Sequence, residues 1–290
     1  MRVLMCSPAY FDVPEGIPKE EYARWNPWMN PERPPNRKTA FEQWRGLYTF
    51  YQKQNLEIFL LKSKKGLFDQ TFVANIACVW DNRAVMANLA PAWRKEEVRE
   101  AAQWFAGKRF SIEWLPEHIS FEGQGDIIRI GKSTFLFCYG LRNSIAAVDY
   151  LEKIFGIRGK VIPLKLINRN FYHGDISIRY FPNNDALLWN PSAFDTQDLG
   201  IIERLPVKKK MEAPEALWVQ KTDQGWNFPL NGCFANKVET FPWKKSMGEF
   251  PRHIREWIEK DGGEIWLHNF DQFGLSGAGH QCTTLNLFTD

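Results

Sequence analysis

Hydrophobic and polar positions follow one recurring order along this chain: a one-sided helix, a short apolar strand, a polar residue and a longer strand. In the helices the apolar residues recur with the 3.6-residue helical period. The predicted helices lie near 40–51, 95–107, 143–155 and 250–258, and their strands lie at 56–61, 111–115, 161–164 and 264–267. The third helix is expected to be capped by Asn143 or Ser144 and to end at Gly156. A weaker unit has a helix at 195–203 and a strand at 216–220, and a strand at 2–5 begins the chain.

The repeat has a period of about 50 to 60 residues, which is typical of propellers and other arrays. Each unit carries a polar residue or pair at a comparable point: Asp69, Glu122, His173 with Asp175, Asn231 and Cys282. Equivalent points converge when units are arranged around a pseudo-symmetry axis. We therefore predict an α/β fold of five pseudo-symmetric units, forming a single domain over residues 1–290, with carboxylates, a histidine and a thiol around one central pocket.

Composition excludes several classes of protein. Of the 290 residues 44% are hydrophobic and 24% are charged, which is typical of a globular chain and not of a disordered one. The 37 basic and 34 acidic residues nearly cancel, so we expect no nucleic-acid partner, and we interpret the lysines at 208–210 as a solvated loop. No apolar stretch approaches the roughly 18 residues of a membrane span. Residues 1–8 are broken too early by proline to be a signal peptide.

The five cysteines are scattered and include no Cys-x-x-Cys pair. This distribution favours a reducing cytoplasm over a disulfide framework. The histidines and cysteines also lack the spacing of zinc ligands, so neither a metal nor a cofactor is expected.

Cys282 follows a turn of small residues at 276–279. Taken alone it is better explained as a buried free thiol than as a nucleophile. Its register with Asp69, Glu122 and His173 reverses that preference, and we predict a nucleophile. A thiol with a pKa of about 8.5 needs a nearby cation to ionise at neutral pH. His173 is the better general acid/base than the adjacent His280, because it follows a strand and has Asp175 on the same face to orient it.

Two carboxylates beside a thiolate would repel one another unless the ligand is a cation. A guanidinium group fits, because it is planar, permanently charged and donates bidentate hydrogen bonds to carboxylates. Its central carbon is then left facing the sulfur, in position for attack. Asp69 and Glu122 are therefore predicted to hold a guanidinium group, although each is also explained as a turn or capping carboxylate.

Several segments taken together resemble the guanidino-group-modifying enzymes: 4–11 with 26–29, 69–75, 122–126, 142–143, 171–175 and 279–287. That superfamily includes dimethylarginine dimethylaminohydrolases, arginine deiminases, amidinotransferases and the arginine dihydrolase domain. The resemblance covers essentially the whole chain and implies a five-bladed αβ-propeller, the pentein fold. It implies that Cys282 forms a covalent amidino-thioether and that His173 protonates the leaving amine and then activates water.

The same resemblance implies further substrate contacts. Glu122 and Asp69 bind the guanidinium group, and Arg94 and Arg142 match positions that hold the substrate carboxylate in relatives. Asp175, in the His-x-Asp spacing, and Asn26 complete the expected binding set. Residues 12–38 are expected to form a loop that covers the substrate.

Asn75 departs from many relatives, which have aspartate there. Together with Asn26 it is similar to the arginine dihydrolase branch. An asparagine suits a neutral ureido group, which implies a second hydrolysis that continues to ornithine. Amidino transfer to an amine stays open, because amidinotransferases share the His-x-Asp spacing, and so does a non-catalytic binding protein on the same scaffold. We expect a small guanidino substrate, no membrane partner and a cytoplasmic location, while the exact substrate, the number of hydrolytic steps and assembly into a homo-oligomer are left open.

Overall fold

The computed structural model describes residues 1–13, 16–131 and 134–287, and it contains five sheets of three strands each within them. The elements, in chain order, are β1 (Arg2–Cys6), α1 (Lys19–Trp25), α2 (Arg37–Lys53), β2 (Glu57–Leu61), β3 (Ala77–Trp80), β4 (Arg83–Met86), α3 (Lys95–Gly107), β5 (Ser111–Trp114), β6 (Ile127–Ile130), β7 (Thr134–Tyr139), α4 (Ala147–Phe155), β8 (Val161–Lys165), β9 (Ile178–Phe181), β10 (Ala186–Trp189), α5 (Thr196–Arg204), β11 (Lys209–Glu212), β12 (Gln220–Lys221), β13 (Trp226–Asn227), β14 (Phe234–Ala235), β15 (Val238–Pro242), α6 (Arg252–Glu259), β16 (Glu264–His268), α7 (Asp271–Gly274) and β17 (Leu285–Asn286).

Each three-stranded sheet has the same topology. The central strand pairs antiparallel with the first strand of its unit and parallel with the strand that follows the helix, as in β3-β4-β5 and β6-β7-β8. The first sheet obtains its antiparallel strand from the other end of the chain, because β17 pairs with β1 at Val3↔Asn286 and Leu4↔Leu285. The turn before β17, which carries Cys282, is therefore equivalent to the turns before β3, β6, β9 and β14.

The hydrophobic core consists of clusters that join neighbouring units. Leu4 and Leu285 of the first unit pack with Val79 and Phe105 of the second. Similar clusters join the second unit to the third, the third to the fourth and the fourth to the fifth. A further cluster joins the fifth unit back to the first through α2. Burial of apolar faces between successive units thus closes the repeat on itself.

The predicted helices and strands agree with most of the structure, and two expectations were wrong. The parallel strand of the fourth unit is β11 and not 216–220, where the chain instead forms a 3₁₀ turn (Glu215–Leu217). β11 contains Lys209 and Lys210, two of the three lysines that we interpreted as a solvated loop. Charged residues are typical of an edge strand, which gives the segment a loop-like composition. The second error concerns the N-terminus of α4, which begins at Ala147 without a side-chain cap. The Asn143 side chain accepts a hydrogen bond from the Glu122 backbone N–H (2.7 Å), and the Ser144 hydroxyl accepts one from the Ala146 backbone N–H (3.3 Å), before the helix begins.

The segment at 12–38, which we call the covering segment, contributes Asn26 and Met29 to the lining of the central pocket, and Pro14 and Glu15 lie outside its described residues. It contains α1 and a small apolar cluster of Val13, Tyr22 and Met29. The Trp28 indole N–H donates to the Asn170 carbonyl (3.0 Å), which attaches the segment to the third unit. Nowhere in 1–13, 16–131 or 134–287 is there a helix with the length and apolar character to cross a bilayer.

Candidate active site

The turns that precede the first strands of the units deliver the predicted site residues to the centre of the molecule. Asp175 and Cys282 each lie three residues before such a strand, β9 and β17 respectively. The turns come very close together: a Cβ on Gly123 would lie 2.6 Å from the backbone oxygens of Ala74 and Ala77. The φ of Gly123 is also positive, at 63°, so both its conformation and the close approach require glycine.

A central pocket is lined by seven of the nine predicted site residues: Asn26, Asp69, Asn75, Arg94, Arg142, His173 and Cys282. Glu122 lies behind Arg142, and Asp175 lies behind Cys282, where their side chains contact the lining groups. The free volume of the pocket is about 20 Å³, which holds about one water molecule. A larger guest therefore enters only when the covering segment and the lining side chains move.

The Cys282 thiol is buried and contacts a carboxylate. Its Sγ donates a hydrogen bond to Asp175 Oδ2 (3.3 Å), and its backbone N–H donates to Asn231 Oδ1 (3.1 Å). Burial, reinforced by the charge of Asp175, holds the pKa of the Cys282 thiol well above its ordinary value. Burial likewise raises the pKa of Asp175 to about 7, although His173 opposes the shift. These surroundings keep the thiol protonated, and an incoming cation is needed to favour the thiolate.

His173 is oriented by Asp126, and the expectation that Asp175 orients it was wrong. Nδ1 of His173 lies 2.6 Å from Asp126 Oδ2, while the other oxygen of Asp126 accepts a hydrogen bond from the Gly174 backbone N–H (2.7 Å). Nε2 then faces Glu122 Oε2 (3.4 Å) and the Asn75 amide (3.5 Å). Asp175 lies in the same turn as His173 but two residues further on, and there it is the hydrogen-bond partner of the Cys282 thiol.

Glu122 and Arg142 form a fully buried ion pair. Nη1 of Arg142 donates to both carboxylate oxygens of Glu122 (2.8 and 3.1 Å), and Nε donates to the carbonyl of Trp25 in the covering segment (2.9 Å). The Arg142 guanidinium also lies over the Tyr172 ring, 5.0 Å from its centroid. Arg142 thus connects the predicted guanidinium-binding carboxylate to the segment that covers the pocket.

A second buried network surrounds Arg94. Its Nε donates to Glu97 Oε2 (2.9 Å) and lies 3.9 Å from Asp69 Oδ2, and its Nη1 donates to Asn75 Oδ1 (3.3 Å). The other oxygen of Glu97 accepts the backbone N–H of Asp69 (3.2 Å). Burial raises the pKa of Glu97 to about 8, and the Arg94 guanidinium opposes that shift. Glu97 therefore holds both the predicted carboxylate-binding arginine and the loop of Asp69.

We expect Glu97→Gln to raise KM for a guanidino amino acid about tenfold and to change kcat much less. Both oxygens of Glu97 accept N–H groups, so the amide nitrogen of glutamine would face a donor and release either Arg94 or the Asp69 backbone. Steady-state kinetics measure KM and kcat separately. Glu96→Gln is the matched control, because Glu96 is exposed and pairs with Arg99 on the surface of the same helix. A fall in kcat as large as the rise in KM, or no change in either constant, would contradict this role.

Asn26 attaches the covering segment to the loop before Cys282. Its side-chain amide donates to the Ser276 carbonyl (2.9 Å), which also accepts the Tyr172 hydroxyl (3.1 Å). Its side-chain oxygen accepts the backbone N–H of Trp28 (3.1 Å). Asn26 is therefore placed both to line the pocket and to hold it closed.

The balance of charge in the site favours a cationic guest. Five buried carboxylates (Asp69, Glu97, Glu122, Asp126 and Asp175) face two buried guanidinium groups, those of Arg94 and Arg142. Burial also raises the pKa of Asp69, against the influence of Arg94. Desolvated carboxylates in such excess are stabilised when a cation joins them.

His280 is part of the core beneath the site and does not contact the thiol. Its Nδ1 bonds to Thr240 Oγ1 (2.8 Å), and its ring stacks on that of His268 at 5.6 Å. Burial lowers the pKa of His268 to about 4 and that of His280 well below its ordinary value. Both rings are therefore neutral in the folded protein at physiological pH.

Neutral burial of His268 predicts a loss of stability in acid. Between about pH 6.5 and 4 the unfolded chain binds a proton that the folded ring does not, so stability falls as the pH falls through that window. The free energy of unfolding relative to His268→Gln should decline by roughly 2 kcal/mol from pH 7.5 to 5. Urea unfolding of both proteins at the two pH values measures the difference. A difference that is independent of pH would show that the ring titrates normally.

Two residues of the site, Asp126 and Glu97, were not predicted to act there, and a third, Asn231, was expected near the pocket but was given no role. Asp126 ends the 122–126 motif and Glu97 follows Arg94 by one helical turn, but both are ordinary carboxylates in a single sequence. Asn231, predicted only as a polar residue of the fourth repeat, accepts the backbone N–H groups of Gly279 and Cys282 (2.9 and 3.1 Å). The repeat register was the signal that could have assigned Asn231 to the Cys282 turn.

The sequence of this chain is similar to those of known enzymes. No protein-family profile matches the chain. The chain is 32% identical over 290 residues to the bifunctional arginine dihydrolase/ornithine cyclodeaminase AgrE of Nostoc sp., a match that covers 99% of this chain and 38% of that protein. It is 29% identical over 198 residues to the N(G),N(G)-dimethylarginine dimethylaminohydrolase of Mycobacterium tuberculosis, covering 67% of this chain and 60% of that enzyme. The chain thus spans well under half the length of the first of these relatives.

A solved structure is similar over the full length. The N-terminal domain of ArgZ, a cyanobacterial arginine dihydrolase crystallised with its product, matches with a TM-score of 0.85 at 26% identity, over 99% of this chain and 97% of that domain. This match confirms the five-bladed αβ arrangement that the repeat predicted.

Proposed function

Because the chain belongs to the arginine dihydrolase branch of the guanidino-group-modifying, or pentein, superfamily, we propose that it is a cysteine-dependent hydrolase of arginine or a close derivative. One observation supports this proposal above the others: the Cys282 thiol lies 3.3 Å from Asp175 in a pocket where buried carboxylates outnumber guanidinium groups. A thiol in such surroundings becomes a nucleophile when a cation enters.

The geometry supports a defined sequence of proton transfers. When the guanidinium binds, the thiol proton passes to Asp175, which already accepts its hydrogen bond, and Sγ attacks the central carbon. His173, held by Asp126, protonates the departing nitrogen, so ammonia leaves and an amidino-thioether remains on Cys282. His173 then takes a proton from water, whose oxygen attacks the same carbon. The C–S bond breaks, Asp175 returns its proton to the sulfur, and a ureido product forms.

The substrate contacts follow from the same pocket. Glu122 and Asp69 bind the guanidinium nitrogens, and Arg94 and Arg142 turn toward the substrate carboxylate as the pocket opens. In the structure each arginine already pairs with one of these carboxylates, so binding exchanges one guanidinium partner for another. Asn26 closes the pocket over the amino-acid tail.

We also propose a second hydrolysis, which acts on the ureido product of the first. Asn75 presents an amide and not a carboxylate to the pocket, 3.5 Å from His173 Nε2, which suits a neutral ureido group. Repetition of the thiol chemistry on that group would release a second ammonia and, after loss of carbon dioxide, ornithine. Crystals of ArgZ include a cysteine-to-serine variant bound to substrate and an asparagine-to-serine variant bound covalently to a reaction intermediate. These crystals support assigning a cysteine and an asparagine to this chemistry.

The proposal is tested by incubating the purified protein with arginine, methylated arginines, agmatine and the corresponding ureido compounds. Ammonia and product mass are measured with and without an added primary amine. Ornithine with twice its amount of ammonia is the expected result for arginine. Product that forms only when the amine is added would identify an amidinotransferase, and an alkylation-resistant Cys282 without turnover would identify a binding protein.

We also infer that residues 1–290 form one catalytic domain and that its partner is a small guanidino compound. The crystal structures of ArgZ with substrate and with product support a small-molecule partner. The absence of nucleic-acid and membrane partners, and a cytoplasmic location, stay predictions from the near balance of charge and the scattered cysteines.

A further inference from the structure

A second cavity lies behind the catalytic residues, among the first strands of the units. It has a free volume of about 590 Å³ and extends between β6, β9, β14 and the end of β17. Its outer rim includes Met1, Gly131 and Pro182, which are exposed, and its inner end includes Asp175 and Leu230, which are buried. The cavity therefore leads from the surface to the carboxylate that contacts the Cys282 thiol.

Asp175 separates this cavity from the substrate pocket. Asp175 lines the second cavity but not the substrate pocket, whereas Cys282 lines the substrate pocket but not the second cavity. The two side chains are 3.3 Å apart. Among the described residues Asp175 Oδ1 has no hydrogen bond of normal geometry, although the Asn231 amide is close enough to lower the pKa of the carboxyl. A movement of this one side chain would connect the two spaces.

The wall of the cavity has polar groups on which water can be held. Gln124 and Arg179 line it together with Asp175, and all three are at least nine-tenths buried. Arg179 is fixed by Glu239 (2.7 Å) and by the carbonyl of Thr240 (2.9 Å). Water occupies internal space only where such partners are available, and Arg2, Arg129, Gln281 and Asn286 also line the cavity.

Among the described residues, the cavity at the front of the site has a volume of about 230 Å³ and shares Arg142 and Tyr172 with the substrate pocket, but neither Cys282 nor His173 lines it. Cys282 and His173 are only 4% and 3% exposed, and the Asn26 amide closes the pocket against the Ser276 carbonyl. Once a guanidino amino acid fills the pocket, its own tail lies between the reacting carbon and the covering segment. Each hydrolytic step nevertheless needs a water molecule while the carbon is bonded to Cys282.

We infer that this second cavity is the route by which the hydrolytic water reaches the carbon on Cys282, passing Asp175 from behind. The inference rests on the proposed function. In the step that it supplies, the water oxygen bonds to the amidino carbon, one water proton passes to His173, and the C–S bond breaks to return the thiol. Water entry thus controls breakdown of the covalent intermediate and not its formation.

The test narrows the cavity with Ile128→Trp and compares it with Ile162→Trp. Ile128 and Ile162 flank Leu136 in one cross-strand row of the same sheet and both are half-buried, but only Ile128 lines the cavity. With arginine, Ile128→Trp should lower kcat about fivefold and raise the fraction of enzyme held as covalent adduct, measured by intact mass. The rate at which 2-chloroacetamidine, an amidinium electrophile, alkylates Cys282 should not change. Ile162→Trp should behave like the unaltered protein.

Normal turnover by a folded Ile128→Trp protein would overturn the inference, and so would an equal effect of Ile162→Trp. Slower alkylation of Cys282 in Ile128→Trp would also overturn it, because that result indicates a displaced thiol. If Ile128→Trp fails to fold, Phe234→Trp narrows the cavity from β14 and is judged by the same outcomes. Absence of product and adduct with the unaltered protein would overturn the proposed function and the inference with it.

Discussion

Cys282→Ser is expected to lower kcat for arginine by at least about 10³-fold while the substrate still binds. A serine hydroxyl can donate to Asp175 as the thiol does, so the pocket keeps its shape, but it is a far weaker nucleophile in the absence of a strong base. Glu122, Asp69 and Asn75 are unchanged, and they supply most of the contacts proposed for the guanidinium group. Steady-state ammonia release measures kcat, and calorimetric titration measures binding.

The control for this substitution is Cys78→Ala. Cys78 is also a buried free thiol whose pKa is raised by burial, but it packs in the core between the second and third units. It should keep full turnover and the covalent adduct, whereas the adduct should disappear with Cys282→Ser. Turnover by Cys282→Ser within tenfold of the unaltered protein would contradict covalent catalysis.

Asp126→Asn should lower kcat about 10²- to 10⁴-fold without unfolding the protein. Asp126 accepts hydrogen bonds from His173 Nδ1 and from the Gly174 backbone N–H. The amide can keep the bond to Gly174, but its NH₂ group then faces His173 Nδ1. This arrangement favours the wrong tautomer and removes the charge that stabilises the imidazolium. Both proton transfers of His173 are impaired as a result.

Two further measurements distinguish this positioning role from a structural one. The thermal midpoint and the rate of Cys282 alkylation by 2-chloroacetamidine should stay near those of the unaltered protein, because neither needs proton transfer by His173. Asp175→Asn is the informative comparison, since it removes the partner of the thiol and should change the alkylation rate itself. If Asp126→Asn alters alkylation as strongly as turnover, the aspartate supports the whole pocket and not His173 alone.

Local pattern was sufficient for most of the elements. α3 has the bounds that its apolar face predicts, and α4 ends at Gly156, whose φ of 69° satisfies the helix C-terminus. The pattern was less informative for strands at the edges of the sheets. β11 is a lysine-rich edge strand, and pattern alone could not separate it from a loop, because its pairing with β10 depends on the path of the chain between them.

The predicted site residues come together in the structure, but their pairwise roles could not be predicted. In sequence Asp175 is the obvious partner for His173, since it is two residues away. The 3₁₀ turn that begins at Gly174 directs Asp175 to Cys282 and leaves His173 to Asp126, which lies in another unit. Glu97 likewise becomes a site residue only because α3 packs its first turn against the loop of Asp69.

By itself, the sequence determined the repeat, the residue types available at each turn and the position of Cys282 among them. Those features depend on periodicity and on local chemistry, which one chain carries in its order of residues. Only the tertiary structure decided that β17 completes the first sheet and that Asp175 lies between the Cys282 thiol and a second cavity. These contacts join residues from different units, and their geometry depends on how apolar faces pack between those units and not on spacing along the chain.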